Sequence, residues 1–322
     1  MNFPEMLQNN NSSRSVSLMA PVKTAEPNHP EPEAVLNLNK RPDSMKMKPL
    51  LTAIVLLLAV NLCSSIGSRT LFADEARGLS NTPAPLENAH AHNDYLHQRP
   101  LLDALDHGFT SIEADVFPVE GQLLVAHTFL ELSKDKTLEG LYLMPLRNIA
   151  KRNGGSIYSD GKPIILLVDI KTKGVEAYAL LEALLKSYDD VVSSHLDGQL
   201  REKAVTVIIS GDRPRAEIEK SNPRYGAIDG RLGDLESTST ASLVPLISDN
   251  WGHHFKYRGK GEMPAAEREK LAAIVRKCHD QGRRLRFWAT PENSTLWTEL
   301  RNAGVDLIGT DDLKALQGHL QK

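Results

Sequence analysis

The sequence predicts an α/β protein, a (β/α)8 or TIM barrel in which helices surround eight parallel strands. Strand-like and helix-like runs alternate from Leu86 onward, which is typical of βα units. The run 163–170 is apolar as far as Asp169, as expected of a strand buried on both faces of a parallel sheet. The chain has 322 residues, and a barrel of this kind commonly needs about 250.

Seven segments have the composition of strands, and four others have the apolar spacing of helices. The predicted strands are 86–91, 111–116, 122–127, 163–170, 205–210, 285–289 and 305–310. The predicted helices are 100–107, 175–187, 265–281 and 295–303. The eighth strand is either 225–228 or 243–248, and the pattern does not decide between them.

The amino-terminal part of the chain does not have the pattern of the barrel. Residues 1–44 are rich in Asn, Ser, Pro and Glu, so we expect them to be disordered or untranslated. A basic start at 45–49 then precedes the apolar run 50–60, which has the length of a signal-peptide core. We expect 45–76 to be a signal peptide and short linker, 77–322 to be the barrel domain, and the protein to be exported (periplasmic or extracellular). A membrane-anchored form, with the signal uncleaved, is the alternative.

Charge and cysteine content exclude two classes of protein. The chain carries 38 Lys and Arg against 41 Asp and Glu, mixed along its length, so no basic stripe for nucleic acid exists. Its two cysteines give no disulfide framework. We expect Cys278 to be buried and inert. Cys63 follows the apolar run, but Leu62 before it is unfavourable for lipidation.

Three acidic residues are the predicted metal ligands. Glu113 and Asp115 lie two residues apart on the strand 111–116, so their side chains share a face, and Asp169 ends another strand. The carboxyl ends of barrel strands meet at one mouth, where these oxygens would bind one divalent cation, Mg²⁺ or Ca²⁺. Lys171 shares the face of Asp169 and is a predicted catalytic residue that assists in neutralising a phosphoryl group.

Three histidines are the other predicted catalytic residues. His90 and His92 end the first strand or follow it, and His127 ends the strand 122–127. Imidazole titrates near neutrality and can give or take a proton. We predict that His92 or His90 is the nucleophile or base and that His127 is the acid and base. The choice between His90 and His92 stays open, and Asp94 could orient either one.

A further group of aromatic and polar side chains could line the mouth and contact the substrate. They are Trp251, His253, His254, Trp288 and Asn293.

Several segments together resemble the phospholipase-C-like (PLC-like) phosphodiesterase superfamily, which includes glycerophosphodiester phosphodiesterases and sphingomyelinase D. The segment 108–116 is similar to its G-x-x-x-I-E-x-D-V motif, and 304–311 to its last barrel strand. Segments 90–95, 99–101 and 141–146 resemble, more narrowly, the altered inheritance of mitochondria protein 6 family. The resemblance implies a TIM barrel and phosphodiesterase chemistry. It also allows the substrate's own hydroxyl to be the attacking group, with a cyclic phosphate as the product.

The expected function is that of a metal-dependent phosphoric diester hydrolase acting on a small-molecule or lipid phosphodiester, phospholipid-derived or of the glycerol type. Peripheral contact with a membrane would accompany a lipid substrate. The His-Arg-Gly of glycerophosphodiesterases is replaced by His90-Ala91-His92, which leaves the substrate's identity open. Two alternatives remain. One is an amidohydrolase-like metal hydrolase, although 207–210 lacks the histidine that such a site needs on a middle strand. The other is a catalytically inactive binding relative.

Overall fold

A computed structural model describes residues 83–322, and the predicted disordered segment and signal peptide lie outside these residues. The strands are β1 (Leu86–Ala91), β2 (Phe109–Val119), β3 (Gln122–Val125), β4 (Ile164–Ile170), β5 (Ser194–Leu196), β6 (Gln199–Arg201), β7 (Val205–Gly211), β8 (Gly226–Gly230), β9 (Leu246–Asn250), β10 (Arg284–Trp288) and β11 (Leu307–Thr310). The α-helices are α1 (Leu102–Asp106), α2 (Met144–Arg152), α3 (Gly174–Lys186), α4 (Arg215–Lys220), α5 (Trp251–His254), α6 (Ala265–Asp280), α7 (Ser294–Ala303) and α8 (Leu313–Leu320).

Eight parallel strands form a closed barrel, which confirms the predicted fold. The order around the barrel is β1, β2, β4, β7, β8, β9, β10 and β11, so barrel neighbours also follow one another along the chain. Parallel pairing of β11 with β1 closes the sheet, with Ala89 opposite Ile308. The four predicted helices correspond to α1, α3, α6 and α7 to within two residues at each end.

The prediction that 122–127 is a barrel strand is wrong. Strand β3 runs antiparallel to β2, with Val116 opposite Val125, and it forms a hairpin at the mouth. The turn between them has positive φ at both Glu120 (48°) and Gly121 (78°). A two-residue turn of this kind can connect only antiparallel strands, since a parallel pair needs a crossover of a dozen or more residues.

The barrel still has eight strands, because both candidates for the eighth strand are present and one of them takes the place predicted for 122–127. They correspond to β8 and β9, which pair with each other in parallel. The two short strands β5 and β6 form a separate hairpin that the sequence pattern did not predict.

The interior of the barrel is apolar at its floor and polar at its mouth. Buried side chains from four strands form the floor: Ile165, Leu167, Ile208, Leu246 and Leu307. The alternation of side chains along each strand then places the next inward residues, such as Asp169 and Ser210, nearer the carboxyl end. The larger apolar core lies between the strands and the helices and contains Cys278, where burial raises the pKa of the thiol to about 12. Cys278 is therefore protonated and buried, as predicted.

No helix among residues 83–322 is long and apolar enough to cross a membrane.

Two glycines at positive φ allow a test of how tightly the end of β7 packs against Asp169. A Cβ at Gly211 (φ 69°) would overlap the Asp169 carboxylate and the Ile170 carbonyl oxygen, whereas a Cβ at Gly121 would meet nothing within 4 Å. We expect Gly211→Ala to lower the free energy of unfolding by about 3 kcal/mol and Gly121→Ala by only about 1 kcal/mol. Urea unfolding of both variants measures this, and equal losses would contradict the described packing.

Candidate active site

An acidic triad lies where β2 and β4 approach the mouth. Asp115 and Asp169 are opposite each other on neighbouring strands, and Glu113 is one inward position below Asp115. One oxygen from each carboxylate lies within 4.8 Å of the other two. Burial, opposed by Lys171, raises the pKa of Asp169 to about 6, and burial likewise raises the pKa of Asp115. Three carboxylates in so small a space repel one another, so a cation would stabilise them.

The residues around the triad fit a hard divalent cation. The Oδ1 atom of Asp115 is buried without a hydrogen-bond partner among the described residues. Lys171 Nζ lies 2.7 Å from Asp115 Oδ2 but 3.7 Å from Asp169 Oδ2, and Asp169 forms no other ion pair within residues 83–322. Unpaired carboxylate oxygens in a buried site cost free energy, and oxygen ligands are those that Mg²⁺ and Ca²⁺ prefer.

His90 is a positioning residue inside the barrel. Its side chain is fully buried, with Nδ1 2.8 Å from Ser111 Oγ and Nε2 2.9 Å from Glu113 Oε2. Burial, reinforced by nearby Arg286, lowers the pKa of His90 to about 4. A neutral imidazole with both nitrogens occupied holds Glu113 in place and has no free nitrogen for a substrate.

Arg286 is the main residue of the site that the sequence analysis missed. It projects from β10, is almost fully buried, and donates from Nη2 to Glu113 Oε2 at 2.8 Å. Although burial opposes it, Arg286 together with His90 holds the pKa of Glu113 well below its usual range. Its signal in the sequence was an arginine at an inward position of a strand, between Leu285 and Phe287.

His92 is placed differently from His90. Its side chain is about a third exposed, and Nδ1 lies 2.8 Å from Asp311 Oδ1. Nδ1 also lies 3.1 Å from Asn93 Nδ2. When Nδ1–H donates to Asp311, the other ring nitrogen, Nε2, makes no hydrogen bond to any of residues 83–322. The geometry therefore favours His92 over His90 as the reacting histidine.

Asp311, and not Asp94, orients His92. The predicted role of Asp94 is wrong because its carboxylate accepts hydrogen bonds from Leu101 N–H at 2.5 Å and Tyr142 Oη–H at 2.9 Å. Asp311 is itself fixed by Glu292, which accepts from the Asp311 N–H at 3.0 Å. Glu292 also accepts from the Thr310 hydroxyl at 2.6 Å.

His127 lies two residues beyond β3 and about half of its side chain is exposed. Its Nδ1 lies 3.1 Å from Tyr95 Oη and 3.4 Å from Asp115 Oδ2. Tyr95 donates its own proton to Asp115 Oδ2 at 2.5 Å, so its oxygen can accept from His127. Tyr95 is a second residue that the sequence analysis missed, since no periodic pattern marks it.

A cavity of about 220 Å³ opens beside His92 at the ends of β10 and β11. Its lining includes His92, Arg286, Trp288, Glu292 and Asp311.

Of the five predicted contact residues, Trp288 alone lines this cavity. Trp251 is fully buried, donates its indole N–H to the Tyr257 carbonyl and stacks on Phe255, so its predicted place at the mouth is wrong. Asn293 caps α7 by accepting from Leu296 N–H, which is a structural role. His254 pairs with Asp249 at 3.3 Å, and His253 is exposed near Trp288.

Comparison with known proteins finds two matching family models and several relatives. The model of a family described as "AIM6-like phosphodiesterase domain" matches residues 80–228, and that of the glycerophosphoryl diester phosphodiesterase family matches residues 284–314. Altered inheritance of mitochondria protein 6 of Eremothecium gossypii is 30% identical over 267 residues, covering 72% of this chain and 69% of the relative. The homologue from Arthroderma benhamiae is 28% identical over 280 residues, covering 76% of this chain and 86% of the relative.

Two solved structures are similar at low sequence identity. The glycerophosphodiester phosphodiesterase from Parabacteroides distasonis has a TM-score of 0.47 and 16% identity, covering 74% of this chain and 98% of that one. The enzyme of the same description from Agrobacterium tumefaciens has a TM-score of 0.46 and 13% identity, covering 74% and 100%.

The closed barrel, its acidic triad and the family matches define a protein of the PLC-like phosphodiesterase superfamily. Within that superfamily, the chain belongs to the altered inheritance of mitochondria protein 6 family.

The two neighbouring histidines should differ in their effect on stability. His90→Ala removes a buried imidazole that is hydrogen-bonded through both nitrogens and leaves Glu113 and Ser111 short of one partner each, so we expect a loss of about 3 kcal/mol. His92→Ala changes a partly exposed side chain and should cost less than about 1 kcal/mol. Urea unfolding in the presence of a chelator compares them, and equal losses would contradict the assigned roles.

Proposed function

We propose that the protein is a phosphoric diester hydrolase whose active site is the mouth around the acidic triad, and that it acts on a phospholipid-derived or glycerol-type phosphodiester. The observation that carries this proposal is the convergence of the triad, Lys171 and two partly exposed histidines at one mouth. The family's phosphodiesterase domain supports the reaction class.

The cationic groups neutralise the phosphoryl oxygens. Glu113, Asp115 and Asp169 would hold one divalent cation, which when bound supplies Lewis-acid stabilisation of the phosphoryl charge. Lys171, held against Asp115, adds a second positive charge on the β4 side. Arg286 adds a third at the floor of the cavity beside His92. Such fixed charges stabilise the charge that develops in the transition state.

The two partly exposed histidines handle the protons. Asp311 holds His92 with Nε2 free, so His92 can accept the proton of the attacking hydroxyl. His127 is oriented through Nδ1 by Tyr95 and Asp115, which leaves its Nε2 to protonate the leaving oxygen. The attacking hydroxyl belongs to the substrate, as the family resemblance implies, or to water.

The amidohydrolase alternative is less well supported. In that class the first-strand histidines would both bind the metal, but His90 is bound to Ser111 and Glu113 inside the barrel. The inward residue near the end of β7 is Ser210, which donates to Asp229, so no histidine stands there.

Removal of divalent cations should abolish turnover. We expect the full chain to hydrolyse an activated phosphodiester only with Mg²⁺ or Ca²⁺ present, and Asp169→Asn to bind the ion at least about tenfold more weakly, because a charged ligand is lost. Phosphorus NMR follows the products, and calorimetry of the ion alone gives the affinity. Undiminished turnover after exhaustive chelation would reject the metal requirement.

Loss of His127 should affect turnover and not the fold. We expect His127→Ala to lower kcat by roughly a hundredfold or more, the usual scale for a general acid–base group, without changing the urea midpoint. His107→Ala is the matched control, since His107 follows α1, away from the mouth, and its side chain contacts the Asp103 carbonyl through Nδ1. A normal kcat with reduced stability would show that His127 is structural.

A further inference from the structure

Three arginines lie at the carboxyl ends of β7 and β8, next to the strand that carries Asp169 in the order around the barrel. Arg215 pairs with Asp234 at 2.9 Å, and Arg231 pairs with Asp229 at 3.0 Å. Arg213 differs from both. It donates from Nη1 to the Gly211 carbonyl at 3.0 Å, and it forms no ion pair with any of residues 83–322.

The backbone of Gly211 connects Arg213 to the acidic triad. Arg213 folds back onto the Gly211 carbonyl, and Gly211 packs so closely on the Asp169 carboxylate that no Cβ would fit between them. The guanidinium is thus anchored on the residue that packs against a predicted metal ligand. Its remaining N–H groups make no hydrogen bond to any of residues 83–322.

Arg213 differs from its two neighbours in its ion pairs. The carboxylates of Asp234 and Asp229 are engaged by Arg215 and Arg231, and neither forms an ion pair with Arg213. Arg213 is half-buried, and burial together with the neighbouring Arg231 lowers its pKa. A partly desolvated cation beside a like charge is unfavourable unless an anion joins it. A guanidinium binds phosphate or carboxylate through two parallel hydrogen bonds, which suits this position.

We propose that Arg213, with Arg231 beside it, binds a second anionic group of the substrate, a phosphate or a carboxylate, in addition to the scissile phosphodiester. The inference rests on the proposed function and specifies its substrate class. Neighbouring strands are about 4.8 Å apart, so the arginines at the ends of β7 and β8 lie roughly 5–10 Å from the β4 side of the triad. A substrate with its second anion a few bonds from the scissile phosphorus would reach both sites.

The test uses three matched substrates that share a glycerol arm. The other arm is propanol, with no second charge, 3-hydroxypropanoate, which carries a carboxylate, or 1,3-propanediol monophosphate. For the full chain with Mg²⁺, we expect kcat/KM to be roughly 10- to 100-fold higher for an anionic substrate than for the propanol ester, the scale of one charge-assisted bidentate contact. The two anionic arms tell carboxylate from phosphate.

Arg213→Gln should remove this preference and leave turnover of the propanol ester unchanged. Arg213→Lys keeps the charge without the planar fork and should retain part of the preference. Arg152→Gln is the matched control, because it removes one exposed arginine at the carboxyl end of α2, outside the described mouth.

Equal kcat/KM for the three esters in the unmodified protein would overturn the inference, as would an equal loss on all three in a folded Arg213→Gln variant. If that variant does not fold, the inference is tested by the Arg213→Lys variant and by the order of kcat/KM for the three esters in the unmodified protein. Calorimetry of the same compounds separates this inference from the proposed function. Tighter binding of the anionic esters without hydrolysis of any ester would contradict the proposed hydrolase activity and support the anion-binding site. Equal affinities for the three esters would contradict the anion-binding site.

Discussion

The buried carboxylate of Glu113 is the constraint on which the mouth depends. It lies on β2, accepts from His90 on β1 and from Arg286 on β10, and thereby connects three strands of the barrel. Removing Arg286 would leave a buried charge uncompensated, which costs several kcal/mol, whereas removing His90 would leave the same carboxylate short of one hydrogen bond. Because both partners bind Oε2, the other oxygen remains for a cation. The Glu113 carboxylate therefore both connects the strands inside the barrel and forms part of the triad.

This constraint divides the mouth into regions of different charge. The ends of β2 and β4 carry the acidic triad, partly neutralised by Lys171 and Arg286. The ends of β7 and β8 carry Arg213, which has no ion pair among residues 83–322. A cation at the triad would add to the positive charge of this rim and make it more attractive to anions. The apolar floor beneath lowers the local dielectric constant and so strengthens the interactions of the buried charges above it.

Sequence pattern predicted the barrel and its acidic residues because both follow from a period of two. Glu113, Asp115 and Asp169 interrupt apolar strands at inward positions, and that alternation can be read without a structure. Arg286 has the same signal, since it lies between Leu285 and Phe287, but its charged neighbours are Arg283 and Arg284, and no acidic residue on that strand marks it as part of the site. The bonds of Tyr95 to Asp115 and of Glu292 to Asp311 join loops that are distant or unpatterned in sequence, so only the folded chain reveals them. The antiparallel direction of β3 could also have been predicted from the sequence, because the turn at Glu120 and Gly121 is too short for any crossover.

That same short turn makes the proposed acid and the metal ligands members of one cooperative unit. The chain leaves Asp115, turns back through β3 and arrives at His127, whose ring then rests on Tyr95 and Asp115. Local opening of the hairpin would withdraw His127 and loosen the end of β2 together. Opening of the hairpin would therefore displace the proposed proton donor and disturb Asp115 in a single event.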